Sequence, residues 1–259
     1  MNGLKRFNGS GWLSFGLLLL LWEFGSRAAP KLQLYFPPVS QVIAALGRSA
    51  ASGPLVAHLS VTVGRFLEGY FLSAMIGVTL GIILGYFRFL HNLFETLIEF
   101  LRPMPSVAII PVAILMLGIG DSMIVAVTVY ATVWPILINT IDGVRHIDGV
   151  LIQTGRTFRL PQRKILWRVI LPAASPDIVT GLRIGLSIAL ILVTTAEMVA
   201  GSKGLGFFIL DEERSMNSGN MYAGIFLVAV LGYALNRLFL LVEAKAMKWR
   251  HGMIARQTA

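Results

Sequence analysis

Six long apolar runs constrain this chain more than any other feature. They cover residues 11–25, 66–89, 93–117, 123–141, 178–201 and 223–242. A helix needs about 20 mostly apolar residues to cross hydrocarbon, and lipid admits only helices or closed barrels because backbone groups find no water there. The runs are continuous rather than alternating, so they read as helices. Composition agrees: 56% of the 259 residues are hydrophobic, 14% are charged, and mean hydropathy is +0.74. A soluble domain of this size needs more polar surface. The expectation is a single all-α integral membrane domain, 1–259, with six transmembrane helices.

The first run has two readings. Lys5 and Arg6, then LSFGLLLLLW, then SRAA, have the order of a secretory signal. Trp12 and Trp22 bracket the run as interfacial aromatics do, so it is taken as a retained anchor. Orientation follows from the cations. With the N-terminus inside, thirteen Lys and Arg fall on the cytoplasmic side and six outside, Arg65 among the six. That excess places both termini on the cytoplasmic side of the membrane.

Between the first two spans, Pro37 and Pro38 stop the preceding structure and Ser40 caps a short helix with Val42, Ile43 and Leu46 on one stripe. Residues 55–65 are expected along the outer membrane surface. Pro103, Pro105 and Pro111 should kink or break the third span, because each removes a helix hydrogen bond.

The longest inside loop, 142–176, carries QTGRTFRLPQRKILWRVILP, with five basic residues and no acidic one. It has helical order. Ile147, Val150, Leu151, Thr154 and Phe158 recur at helical spacing, and Pro161 suits the start of a second helix. Ile165, Leu166, Val169 and Ile170 give that helix an apolar face, and Pro172 should end it at Leu171. Cations alone would serve topology. A helix–turn–helix knob with its own apolar faces reads as a docking surface for another protein.

This loop resembles the EAA loop of ABC importer permeases, the membrane subunits of binding-protein-dependent uptake systems. Aligned on Leu171 and Pro172, the family's Glu-Ala-Ala triplet falls on Gln153, Thr154 and Gly155, and its glycine on Arg159. The chain departs from the pattern at the acidic first position and at that glycine. PPVSQVIAAL, LRPMPSVAIIPVAILMLGIGD and GLRIGLSIALILVTTAEMVAGSKGLGFFI are similar to the sulfonate, taurine and nitrate branch, in the same order. The resemblance implies a type I ABC importer permease fold with a coupling helix between spans four and five. It implies a permease homodimer, a cytoplasmic ABC ATPase dimer that holds ATP and magnesium, and an extracytoplasmic solute-binding protein. Gln153, Thr154, Gly155, Phe158, Arg159, Leu171 and Pro172 would form the coupling loop. The solute would be a small anion such as a sulfonate or nitrate.

No GxxxxGK[ST] loop is present to cradle nucleotide phosphates, and GSKGLG at 201–206 lacks that spacing. Energy must come from elsewhere. The four histidines, His58, His91, His146 and His251, are scattered, without metal-ligand spacing. Neither cofactor nor metal is expected on this chain, nor catalysis, and no basic water-facing domain offers a nucleic-acid site. Charged residues inside spans are functional suspects. Glu197, with Thr194 and Thr195, is a candidate pathway lining or, equally, a hydrogen-bonded interhelical group. Glu99 and Arg102 can pair at i,i+3, Arg183 can snorkel, and Arg237 should face inward or be paired. A secondary transporter or channel working without an ATPase stays open as the alternative, and it would keep more ionisable groups near the midplane.

Overall fold

The computed structural model describes residues 9–29, 31, 33–51 and 53–247. Lys5, Arg6, the Trp12 side chain, and His251 with the other residues beyond Met247 lie outside them. The described residues form eleven α-helices and no strand. Four helices are long and apolar enough to cross a membrane: α3 (Pro54–Tyr86), α6 (Asp121–Arg145), a continuous helix Gln162–Ala200, and α11 (Ser218–Ala246). A fifth crossing arises if α4 (Arg88–Leu101) and the following Ser106–Leu117 count together; they meet at 88°. Six crossings were expected. By length and apolarity α1 (Gly9–Ala28) is not among these, since its glycines, serines, Glu23 and Arg27 dilute its apolar stretch.

The proline expectations hold at the break. Helix α4 stops at Leu101. Pro105 caps a 3-10 turn, Ser106–Ile109, and Pro111 sits in the first turn of α5 (Ile110–Leu117), where its missing N–H costs nothing. Two other expectations are corrected. Residues 55–65 do not lie along the surface. They are the first turns of α3, because nothing between Pro54 and Tyr86 breaks the helix, which runs about 50 Å. Pro172 does not end a helix either. A π-helical stretch, Leu166–Ile170, joins α8 (Gln162–Ile165) to α9 (Leu171–Ala200). The wider π turn relieves the clash a proline ring makes with the carbonyl four residues back.

Helices α3, α6 and α9 form the centre. Their shared core includes Phe66 and Tyr70 from α3, Met123, Ile124 and Val127 from α6, and Ala189, Val193 and Ala196 from α9. In lipid, apolar area gives little drive for helices to associate; close backbone approach and polar contacts do. Helix α3 meets α6 through small residues four apart: Gly69, Ser73, Gly77, Gly81 and Gly85, all buried. A β-carbon at Gly81 would lie 2.5 Å from Thr140 Cβ, and one at Gly85 would lie 2.7 Å from Val144 Cβ. Helix α9 seats on α6 the same way at Gly181 and Gly185, where β-carbons would meet Asn139 Cβ at 2.9 Å and Ile136 Cδ1 at 3.0 Å. Trp22 ties α1 to the next segment. Its Nε1 donates to the Pro37 carbonyl at 3.0 Å, and its ring stacks on Phe36. Helix α2 (Val39–Ala51) buries Val42 and Ala45 against Ala223 of α11, while Ile43 is exposed.

Gly81→Ala is expected to destabilise the protein by about 1–3 kcal/mol through overpacking. Gly64→Ala on the same helix, with nothing within 4 Å of its β-carbon position, should leave stability unchanged or raise it. Thermal unfolding of the two variants in detergent checks the contrast.

Candidate functional site: a helical hairpin and a buried ion cluster

The hairpin is built from local rules. Asp148 caps α7 (Gly149–Thr157), its Oδ1 accepting from the Val150 N–H at 2.9 Å. Helix α7 ends in a Schellman turn. Leu160 N–H donates to the Gly155 carbonyl at 3.1 Å and Arg159 N–H to the Arg156 carbonyl at 2.8 Å. Such a turn needs a left-handed residue, and Arg159 supplies it with φ of +54°. The position aligned with the family's glycine therefore keeps a glycine's backbone with an arginine side chain, at about 1 kcal/mol or more of strain. Gly155 is buried, and a β-carbon there would sit 3.4 Å from Ile165 Cγ1, ordinary contact distance. The alanine of the resembling motif would fit.

The expected apolar face of the second helix is right: Ile165 and Ile170 are buried, with Leu166 and Val169 packed beside them. The stripe over 147–158 is periodic as expected and divides: Ile147 packs on the hairpin core. Ile152 and Gly155 meet the hairpin core, while Val150, Leu151 and Phe158 point outward, Phe158 being 75% exposed. Trp167, 70% exposed, adds a fourth uncovered apolar group on the hairpin. Of the residues assigned to the coupling loop, Gln153, Thr154, Phe158 and Arg159 are exposed, Gly155 is buried, and Leu171 and Pro172 are half-buried. A Tyr86–Gln162 hydrogen bond ties the hairpin to the end of α3.

At the opposite end lies a cluster that sequence reasoning divided wrongly. Arg65 was assigned to an outer loop. It is 7% exposed inside α3 and bridges two acids. Its Nη1 donates to Glu197 Oε1 at 2.8 Å, and its Nε donates to Asp121 Oδ1 at 2.9 Å. Glu197, fully buried near the end of α9, also accepts from the Thr62 hydroxyl at 2.9 Å and the Gly206 N–H at 3.0 Å. Both its oxygens are engaged. Thr62 accepts in turn from Leu205 N–H at 2.7 Å, and Arg65 Nη1 reaches the Lys203 carbonyl at 2.7 Å. GSKGLG thus wraps a buried carboxylate. Gly204, at φ of +112°, leaves no room for a side chain, since its β-carbon would fall 2.2 Å from the Glu197 carboxyl. The available signal was the pair Thr62 and Arg65, one turn apart on the face later shown to be buried.

The remaining suspects separate. Thr194 lines a cleft of about 300 Å3 between α9 and α11. Thr195 is half-buried and donates to the Ile191 carbonyl of its own helix. Glu99 and Arg102 do not pair; both are exposed, and no ion pair among the described residues includes either. Arg183 does not snorkel: it bonds to Glu243 of α11. Arg237 donates from Nε to the Tyr233 hydroxyl at 2.9 Å. No group of three or more His, Cys, Asp or Glu that could hold a metal occurs among the described residues.

Glu197→Ala leaves Arg65 buried beside unpaired donors, and breaking such a pair typically costs about 3–5 kcal/mol. Asp121→Ala should cost about 1 kcal/mol or less, because that carboxylate is 73% exposed. Unfolding of both variants in detergent measures the difference.

Comparison with known proteins fixes the family. Residues 77–248 match the binding-protein-dependent transport system inner membrane component family. The chain is 34% identical over 203 residues to a putative ABC transporter permease protein of Methanocaldococcus jannaschii, covering 78% of this chain and 76% of that one. It is 29% identical over 254 residues to a putative aliphatic sulfonates transport permease of Bacillus subtilis, covering 96% and 91%. The taurine transport system permease of Escherichia coli is 27% identical over 248 residues, covering 93% and 89%. In fold, the chain matches a subunit of the inward-facing methionine ABC transporter MetNI, with a TM-score of 0.62, 20% identity, and 73% and 94% coverage. The chain is therefore a member of the binding-protein-dependent transport system inner membrane components, a permease subunit of an ABC importer and not an enzyme.

Proposed function

We propose that two copies of this chain form the membrane path of an importer for a small oxyanion. A cytoplasmic ABC ATPase dimer, which binds ATP and magnesium, grips the α7 hairpins, and an extracytoplasmic solute-binding protein delivers the anion. Both termini face the cytoplasm, with α1 as a further crossing. The solute class follows the relatives, which are named for aliphatic sulfonates, taurine, nitrate and bicarbonate. The observation that carries the coupling role is the outward apolar stripe of Val150, Leu151 and Phe158 on a hairpin whose own core is already filled. Exposed apolar groups rimmed by charge mark protein contact sites, and Arg156, Arg159 and Arg163 lie nearby in sequence.

The mechanics follow from continuity. The hairpin's second helix is the beginning of the helix Gln162–Ala200, 39 residues and about 58 Å long. Displacement of the hairpin moves this rod as a body. Its far end carries Glu197, which holds α3 and the 201–206 loop. ATP-driven closure of the two ATPases brings the hairpins together and tilts the rods, opening the path outward; hydrolysis reverses the tilt. Such a bistable element, biased by the nucleotide state, is what alternating access requires.

Phe158→Asp leaves the hairpin core intact, so the protein should insert and unfold as the parent does. ATPase copurification and ATP-driven uptake should fall at least about tenfold, the cost of charging a central apolar contact. Uptake at the parent rate would refute the coupling role.

A further inference from the structure

Helices α9 and α11 enclose a cleft of about 300 Å3 whose lining is apolar apart from Ser187, Thr194 and Tyr233. Ser187 is exposed, and its hydroxyl makes no hydrogen bond among the described residues, whereas Thr194 donates to the Leu190 carbonyl of its own helix. Tyr233 brings a charge to the cleft margin. Its hydroxyl accepts from Arg237 Nε at 2.9 Å, and the guanidinium carbon stands 5.2 Å over its ring.

Arg237 lies nine residues, about 14 Å, from the C-terminal end of α11. A snorkelling arginine would reach toward that near end. This one turns back toward the helix middle, onto Tyr233. None of the five ion pairs among the described residues includes Arg237, and its two terminal nitrogens make no hydrogen bond there. Arg183, the neighbouring cation of this helix pair, is by contrast bonded to Glu243. An unpaired guanidinium facing hydrocarbon is strongly unfavourable. Its face must therefore meet water or a counter-ion.

We propose that the α9–α11 cleft is an oxyanion station on the transport path, with the Arg237 guanidinium as the binding group and the Ser187 hydroxyl as a second donor. The inference rests on the importer reading and adds a site to it. Tyr233 occupies Nε and fixes the plane of the guanidinium, which leaves two parallel N–H groups for the paired oxygens of a sulfonate, nitrate or bicarbonate. Thr194 then serves as a wall, and Glu197, absent from the cleft lining, takes no part. A carboxylate in the cleft would repel the cargo; the described residues place none there.

The chain contains no cysteine, so single introduced thiols report cleanly. Ser187→Cys is made in the full-length protein in membrane vesicles, alone and combined with Arg237→Gln or Arg237→Lys. Its reaction with an anionic sulfonatoethyl thiosulfonate is compared with that of a cationic trimethylammonium analogue. The anion-to-cation rate ratio should drop about tenfold with Arg237→Gln and hold with Arg237→Lys, as expected for one charge removed nearby. Sodium nitrate or methanesulfonate should slow labelling when Arg237 is present and not after Arg237→Gln. Met216→Cys, in an exposed turn, should show neither effect. A thiol shielded from both reagents would mean that lipid or a second copy seals the face, and that result overturns the proposal. So does a ratio indifferent to residue 237, or labelling that the anions do not slow. Labelling needs neither ATP nor a partner, so failure of the importer reading would show separately, as uptake independent of nucleotide.

Discussion

Close backbone contact among α3, α6 and α9 underlies everything else in this structure. Within lipid, removing apolar area from the surroundings contributes little, because hydrocarbon tails are as apolar as leucine. What remains is dispersion at short range and the avoidance of unpaired polar groups. The period-four row Gly69, Ser73, Gly77, Gly81 and Gly85 supplies the first by letting α6 approach until its Thr and Val side chains touch the α3 backbone. The Arg65–Glu197 pair supplies the second. It is a costly arrangement to desolvate, and it is held because every oxygen of Glu197 finds a donor. Packing fixes the distance between helices, and the ion cluster fixes their register at one end.

A stiff centre gives the hairpin something to act on. Had Pro172 ended a helix, a flexible joint would separate the hairpin from the spans, and movement of the hairpin would be absorbed there. The π stretch keeps the helix continuous while accommodating the proline. The Arg159 turn has the same logic. A left-handed residue reverses the chain within one position and seats Leu160 against the core, so α7 is held by geometry and not by a loop.

Much of this was legible from residue order. Apolar run length located the long helices, Pro103, Pro105 and Pro111 located the break, and the spacing of Ile165, Leu166, Val169 and Ile170 gave the correct buried face. Some failures share a cause: they concern partners distant in sequence. Arg65 counts as a loop cation until Glu197, 132 positions away, is brought beside it. The stripe of Val150, Leu151 and Phe158 has the right period, but periodicity does not say whether a stripe meets its own protein or another. Glu99 and Arg102 fail for a different, local reason: their spacing permits a pair, but both side chains are exposed and the pair is not made. A period-four glycine row was readable in α3, and it indicates helix contact but not which helix.

The polar groups of the spans fall into two kinds, and the difference bears on transport. Arg65, Glu197, Arg183 and Glu243 neutralise one another between helices, so an anion passing near them meets little net field. Such pairs can hold or shift helices, but they cannot select cargo. Arg237 and Ser187 are different: one keeps its charge unmatched, the other its hydroxyl unused; Ser187 lines the cleft, and Arg237 is bonded to Tyr233, which lines it too. A path for oxyanions requires attraction strong enough to replace part of the hydration shell and weak enough to release. A single guanidinium, already sharing one nitrogen with a tyrosine, provides a graded attraction of that kind. A matched ion pair would be too weak, and a cluster of bare cations would trap the anion.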